Sequence, residues 1–198
     1  MTIVELESSR LQDGAAISEA VESIVNSSQE KGLIFVAGIG ATERRLVEAG
    51  QKSAGQDLVL ASTLAEGART FLIQVAHQLT SDSVSIRTQS LLSELFDEFS
   101  NLLEGVYLIG ELSPQAGEVL ASYAERAGAI IVAQALQEQG LQAQAVCERQ
   151  IHLANSPYTS ENFRAKILAD FQNEISALSQ DGIIPVIPIS LRSLATPK

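Results

Sequence analysis

Cysteine and aromatic residues are scarce in this sequence. A single cysteine excludes an internal disulfide framework and fits a reducing compartment. Tryptophan is absent and aromatic residues make up 5% of the chain, so a platform that stacks nucleic-acid bases is not expected. The sequence also has no signal-peptide pattern and no uninterrupted apolar run of membrane-spanning length. These features together predict a cytoplasmic protein.

Positive charge is also in short supply. Lys and Arg number 13 against 24 Asp and Glu, which gives a formal net charge of −11. Nucleic acids and anionic membranes would repel such a chain, so neither is expected as a partner. The hydrophobic share of 45% is enough for a folded core, and 198 residues suit one domain.

Residues that bind metals or act as nucleophiles form no recognisable motif. His77 and His152 are far apart in the sequence, which gives little support for a zinc site. Cys147, followed by Glu148-Arg149, belongs to no recognisable nucleophile motif and is expected to be a small core residue rather than a nucleophile. We therefore predict no metal site.

Hydrophobic patterns predict alternating strands and helices. The predicted strands are residues 2–6, 33–38, 141–146 and 182–189. An amphipathic helix over about residues 15–29 joins the first two strands into a βαβ unit, which implies a parallel sheet with helices on its faces. The predicted fold class is therefore α/β, a three-layer α/β/α sandwich with a mainly parallel sheet. Because Pro185 and Pro188 each remove a ladder donor, an edge position is considered for the last strand.

Two long helices interrupt this alternation. Regular leucine and phenylalanine spacing marks one helix ending near Leu79 and a second between Leu91 and Leu103, with a polar turn at residues 80–85. We expect an antiparallel helical hairpin inserted at about residues 60–105 of a single domain, 1–198. A further helix begins at Ser113-Pro114, and we expect it to break near Gly128. The last helix covers residues 163–178.

Residues 105–145 carry the strongest motif. The heptad YAERAGA at residues 123–129 stands where aspartokinases have Phe-Gly-Glu-Arg-Leu-Ser-Ala, after a shared Leu-Ser-Pro. The chain thus resembles the N-terminal, amino-acid-binding part of aspartokinases, members of the amino-acid kinase family. In that family the glutamate binds the amino group of aspartate, which implies this role for Glu125, with Arg126 beside it. The alternative is a solvated Glu125–Arg126 pair on an ordinary helix, and with the resemblance included the two interpretations have equal weight.

A second match lies at residues 34–46, IFVAGIGATERRL. Aspartokinases have there a strand, then Ser-Ala-Met-Ser-Gly-Val-Thr-Asp and a helix, so Gly40 and Thr42 fall in register. A glycine-rich turn into a helix offers backbone N–H groups and a positive dipole end to a carboxylate or phosphate. Alternatively, the glycines only permit a tight turn. A dinucleotide fingerprint is incomplete, because Glu43 replaces its third glycine.

The resemblance fails where the family binds phosphate. Aspartokinases open with a strand and Lys-Phe-Gly-Gly-Thr-Ser, whereas residues 5–10 here read ELESSR. Glu5 replaces the lysine, and a negative residue there opposes phosphoryl transfer. Ser9, aligned with the threonine, is kept as a candidate substrate contact. The family's Gly-Phe turn after the last strand is replaced by Ile189-Ser190, and the glycine-rich segment that opens the nucleotide-binding half is missing from this sequence.

Three functions stay open. The first is a degenerate aspartokinase-like protein that lacks phosphotransfer and acts as an amino-acid-binding or protein-interaction module. The second is a divergent aspartate kinase completed by another chain. The third is a small-molecule sensor that keeps the pocket around Glu125, Thr42 and residues 38–40. We rank the first ahead of the third, and the second last.

The resemblance also sets expectations for ligands and partners. The implied substrate-binding residues are Glu125, Arg126, Thr42, Gly40 and Ser9, and no catalytic residue is assigned. We expect an amino-acid ligand such as aspartate and no cofactor, with Mg-ATP required only if kinase activity survives. A sandwich reduced to this half would expose a sheet edge, so a homodimer or a protein partner is expected.

Overall fold

Four strands form one parallel sheet in a computed structural model that describes residues 2–27, 32–146 and 159–195, apart from the side chains of 82–84. The strands are β1 (Ile3–Leu6), β2 (Leu33–Val36), β3 (Ala143–Ala145) and β4 (Ile184–Pro188). They lie in the order β1-β2-β4-β3, and each neighbouring pair is parallel. All four predicted strands and their parallel arrangement are confirmed. Cys147 and His152 lie outside the described residues.

Helices account for most of the remaining chain. They are α1 (Gly14–Asn26), α2 (Thr42–Ala54), α3 (Leu58–Leu79), α4 (Asp82–Ile109), α5 (Pro114–Glu138), α6 (Glu161–Gln180) and α7 (Arg192–Ala195). Short 3₁₀ turns occupy Ser8–Arg10 and Ile189–Leu191. Side chains of Asp13, Asp57, Ser113 and Ser160 accept a hydrogen bond from the backbone N–H three residues later, and so fix four of the helix starts.

The sheet is covered on both faces, because its side chains alternate between them. Ile34 and Val36 point into the larger core with α1 to α5, whereas Leu33 and Phe35 point into a smaller core with α6 and α7. This arrangement confirms the three-layer α/β/α sandwich.

The predicted helical hairpin is confirmed as α3 and α4. Contacts between Arg69 and Ser93 and between His77 and Ser85 show that the two helices run antiparallel. Only Thr80 and Ser81 connect them, because residues 82–85 already belong to α4. The polar turn expected over residues 80–85 is therefore shorter than predicted.

The long helix α5 runs unbroken from Pro114 to Glu138, so the break expected near Gly128 was wrong. A Cβ atom on Gly128 would lie 2.5 Å from the carbonyl oxygen of Ala37. Glycine is needed here because the backbone of α5 passes directly against the end of β2.

Proline in β4 does not place this strand at an edge, and that expectation was also wrong. β4 lies between β2 and β3. Pro185 precedes the first β2–β4 pair, Ile34 with Val186, and Pro188 follows the last β3–β4 pair, Ala145 with Val186. Backbone groups alternate between the two neighbouring strands, so each missing N–H points where the described ladder has not begun or has ended.

Two of the described helices, α3 and α5, have the length and mean hydropathy of a membrane span. Most of the apolar stretch in α5 is buried inside the fold, where it forms the main core helix. Because core helices pass the same test, one or two such helices are only weak evidence for a membrane protein.

Candidate functional site

The predicted site residues gather at the carboxyl ends of the strands, where open α/β sheets bind their ligands. The turn after β2, residues 37–41, leads into α2, and the segment after β4 leads into α7. α5 crosses above the end of β2. A Cβ atom on Gly38 would lie 3.0 Å from that of Ala124, so glycine lets the β2–α2 turn approach α5. This close packing brings Glu125 to the edge of the sheet.

Glu125 is half-buried and is held by the residue that follows β4 by two positions. Ser190 donates its backbone N–H to Oε2 of Glu125 at 3.0 Å and its hydroxyl to the same oxygen at 2.5 Å. Burial raises the pKa of the Glu125 carboxyl above its ordinary value; the hydrogen bonds from Ser190 lower it, and the Glu43 carboxylate raises it. The second oxygen, Oε1, is left without a hydrogen bond from any described residue.

Thr42 and Glu43 open α2 beside this carboxylate. Thr42 is 1% exposed, and its hydroxyl donates a hydrogen bond to the Ile39 carbonyl at 2.6 Å. Its side chain therefore stabilises the turn. Glu43 is exposed on the first turn of α2 and faces the same region as Glu125. The two carboxylates make this part of the edge negative.

Gly40 adopts a left-handed backbone conformation, with φ of +56°. Its N–H donates to the Leu11 carbonyl at 2.8 Å, and a Cβ atom would lie 3.1 Å from the Gln12 carbonyl oxygen and 3.3 Å from the Phe71 ring. The N–H is thus already engaged within the fold. In this geometry Gly40 permits a tight turn and a close approach, which is the alternative that the sequence left open.

Arg126 points away from its neighbour. Its guanidinium stacks on the Tyr123 ring, 4.6 Å from the centroid, and one nitrogen lies 3.3 Å from Glu98 on α4. Arg126 therefore helps to fasten α5 to α4. It does not form the solvated ion pair with Glu125 that the sequence left as an alternative, since the carboxylate of Glu125 faces Ser190.

Glu5, at the lysine position of the family, forms an ion pair. Its Oε1 lies 2.7 Å from a guanidinium nitrogen of Arg192, the first residue of α7, and the two side chains are 30% and 52% exposed. Glu5 is paired with Phe35 of β2, so it lies on the sheet face covered by α6 and α7. Ser9 lies in the exposed 3₁₀ turn that follows β1.

Sequence reasoning missed the roles of Ser190 and Arg192. In the sequence Ser190 stands out only as part of the pair that replaces the Gly-Phe turn, and no motif marks Arg192. A usable signal was present: two residues with strong donors follow directly after a buried strand, at the edge where ligands bind.

The described residues include no group of three or more His, Cys, Asp or Glu side chains arranged to hold a metal ion. A cleft of about 780 Å³ borders the candidate site along α2, lined among others by Gln12, Gly40, Glu43 and Gln51. Its walls include polar and charged side chains of α2.

Comparison with known proteins settles the family. The model of the amino acid kinase family matches residues 1–189. The chain belongs to this family. No curated protein matches it in sequence. The amino acid kinase assignment agrees with the resemblance to aspartokinases found in residues 34–46 and 105–145.

Two solved structures of an amino acid kinase have the same fold. E. coli aspartokinase III in complex with aspartate and ADP (R-state) superposes with a TM-score of 0.69, and the same enzyme with lysine and aspartate (T-state) with 0.70. Each is 14% identical to this chain, a level that establishes the fold alone. The match covers 93% of this chain and 40% of the aspartokinase chain, so the chain spans less than half of its length.

Proposed function

We propose that this amino acid kinase domain binds an amino acid through Glu125 and does not itself transfer phosphate. The observation that carries the proposal is the charge of two residues near the carboxyl ends of the strands, Glu125 and Glu5. The counterpart of the family's ammonium-binding carboxylate is present and half-buried, while the counterpart of its phosphate-binding lysine is Glu5. One of the two family functions is therefore favoured and the other opposed.

Glu125 suits an ammonium group. One oxygen already accepts two hydrogen bonds from Ser190, and the other can accept from a ligand. Burial raises the pKa of this carboxyl because the charged form is poorly solvated. A cation that binds beside it stabilises the charged form, so the interaction is stronger than at a fully hydrated carboxylate.

Glu5 argues against a nucleotide phosphate at the end of β1. Arg192 supplies one positive charge there, but Glu5 balances it at 2.7 Å, so the pair adds no net positive charge. A carboxylate about 4 Å from a phosphate charge costs roughly 1 kcal/mol in water and about 4 kcal/mol at an effective dielectric of about 20. Phosphoryl transfer depends on positive charge around the transferred group. These residues do not fit the phosphates of Mg-ATP.

Thermal unfolding of the purified protein tests the proposal, with aspartate, lysine, threonine and Mg-ATP added in turn. Aspartate and lysine are included because they occupy the similar E. coli structures. A ligand at about 100 times its Kd adds about 2.7 kcal/mol, which raises the midpoint by several degrees. We expect an upward shift with an amino acid and none with Mg-ATP.

Glu125→Gln should abolish the amino-acid shift, because the neutral amide loses the charge that holds an ammonium group. Glu118→Gln is the matched control, since Glu118 is an exposed glutamate on the same helix. Loss of the shift in both variants, or in neither, would contradict the role of Glu125. The absence of a shift with all three amino acids would leave a protein-interaction module as the function.

The alternative is a divergent aspartate kinase completed by another chain, which would phosphorylate the aspartate side-chain carboxylate at the expense of ATP. The observation that favours it is the match over 93% of this chain to an enzyme more than twice as long. Release of ADP from Mg-ATP that depends on aspartate, or a midpoint shift with Mg-ATP alone, would establish this alternative and overturn our interpretation of Glu5.

We also propose that the domain forms a homodimer or docks on a protein partner. β1 is at one edge of the sheet and exposes Ile3, and Leu108 and Ile109 at the end of α4 are 82% and 76% exposed. Apolar surface of this kind is commonly covered by association. Light scattering over a range of concentrations should show a mass above 21.1 kDa, and a constant monomer mass would exclude self-association.

A further inference from the structure

The segment that follows β4, residues 189–195, contacts two acidic residues near the carboxyl ends of the strands, Glu125 and Glu5. We call this segment the strap. Ser190 donates two hydrogen bonds to Glu125, and two residues later Arg192 pairs with Glu5. Its far end is fixed by the buried Ala195 and by a hydrogen bond from the Gln172 amide to the Leu194 carbonyl at 3.2 Å. The strap thus connects the family's ammonium position with its phosphate-lysine position.

Ser190 acts on only one of the two carboxylate oxygens. Both of its donors reach Oε2 of Glu125, at 3.0 and 2.5 Å, and this holds that oxygen against the segment after β4. Oε1 stays available to a ligand. The two donors also favour the charged form, against burial and against the Glu43 carboxylate on α2. An ionised, oriented carboxylate is what an ammonium group requires.

We infer that Ser190 is a positioning residue for Glu125, and that the ion pair between Glu5 and Arg192 holds Ser190 in place through the strap. Glu5, at the family's phosphate-binding position, supports the amino-acid site in this chain. The inference rests on the proposed function for its ligand, whereas the orientation and ionisation of Glu125 are measurable without one.

The first experiment follows the Glu125 carboxyl by carbon-detected NMR titration, with its signal assigned by its loss in Glu125→Gln. Ser190→Ala should move the titration midpoint to higher pH, since it removes the hydroxyl that stabilises the charged form. Ser190→Thr keeps both donors and should restore the original midpoint. An unchanged midpoint in Ser190→Ala, even with lower thermal stability, would reduce Ser190 to a structural role and overturn the inference.

The second experiment measures the Kd of aspartate by calorimetry. Loss of one hydrogen bond to a charged group should weaken binding about tenfold in Ser190→Ala. Arg192→Ala and Glu5→Ala should each weaken it a few-fold, and their double variant no further, because they break the same ion pair. Tighter binding in Ser190→Ala would show that Ser190 competes with the ligand and would overturn the inference.

The two experiments separate this inference from the proposed function. If the wild type binds no aspartate while Ser190→Ala still raises the Glu125 midpoint, the proposed ligand is wrong and the positioning of Glu125 by Ser190 stands. If aspartate binds equally to wild type and Ser190→Ala with equal midpoints, the proposed function stands and the positioning role is wrong.

Discussion

Glu125 and Glu5 are two carboxylates held by the same segment in different ways. Glu125 projects from α5 and is half-buried, and burial raises its pKa. Ser190 gives it neutral donors, which lower the pKa in part but supply no positive charge to compensate the carboxylate. Glu5 lies on the opposite face of the sheet and is paired with a full positive charge on Arg192. A charge that the fold compensates is already satisfied, whereas one left uncompensated can take up a cation. On this difference we propose Glu125 as the binding group and Glu5 as an anchor.

The largest loss of stability is expected from a substitution that moves α5, and Glu125 with it, away from the carboxyl end of β2. Gly128→Ala places a Cβ atom 2.5 Å from the Ala37 carbonyl oxygen, so α5 must shift away from β2. We expect the free energy of unfolding to fall by about 1–3 kcal/mol, as in other overpacked sites. Denaturant unfolding measures this loss, and a weaker response to amino acids should accompany it.

Gly117→Ala is the control for this glycine. It lies in the same helix, but a Cβ atom there meets nothing within 4 Å. Alanine should leave stability unchanged or raise it by up to about 1 kcal/mol, because it has the higher helix propensity. Equal losses at positions 117 and 128 would show that the close approach of α5 to β2 does not decide the effect.

A smaller change in stability is expected from removing the negative charge of Glu125. The pKa of Glu125 is raised in the folded state, so ionisation is costlier there than in the unfolded chain. The resulting loss of stability is absent at pH values below the pKa of the carboxyl in the unfolded chain. It is complete at pH values above the pKa in the folded state. Glu125→Gln should therefore melt at a higher temperature than wild type at neutral pH. The hydrogen bonds from Ser190 offset part of the cost, which keeps the gain modest.

Melting temperatures measured across pH test the sign of this prediction. The advantage of Glu125→Gln should shrink as pH falls from the raised pKa to the ordinary value of the carboxyl, while Glu118→Gln should follow wild type throughout. A variant that is less stable than wild type at neutral pH would mean that the hydrogen bonds from Ser190 outweigh burial.

The smallest change in stability is expected from breaking the ion pair between Glu5 and Arg192. Glu5 and Arg192 are partly exposed, and pairs of this kind contribute about 0.2–1 kcal/mol. A double-mutant cycle with Glu5→Ala, Arg192→Ala and the double variant should give a coupling energy in this range that decreases in high salt. A coupling energy that salt leaves unchanged would point to packing rather than charge.

Much of the fold could be predicted from local patterns, because they reflect burial. Four apolar segments became the four strands, and the leucine spacing of α3 and α4 gave the hairpin. The predicted helix break at Gly128 was wrong because the low helix propensity of glycine is a weak effect that tertiary packing overrides. The predicted edge position of β4 was wrong because the free-energy cost of a proline in a sheet depends on which side of the strand its missing N–H donor faces.

The candidate site was only partly predictable. Glu125 was found through its motif, but its partner Ser190 is 65 residues away, and their contact depends on where α5 crosses the sheet. Arg126 shares the motif with Glu125 and yet contacts Glu98, because adjacent helix positions point about 100° apart. Spacing along the chain does not convey either fact.

The order of the strands has a consequence for folding. Among the described strands β4 comes last in the sequence but lies between β2 and β3, and Ile34 pairs with Val186 far along the chain. Until β4 is synthesised, β2 has one unpaired edge and β3 has no neighbour among the described strands. Closing such long-range parallel pairs is slow, so a growing chain exposes strand edges prone to wrong pairing. The described sheet can therefore be completed only after β4, in its middle, has been synthesised.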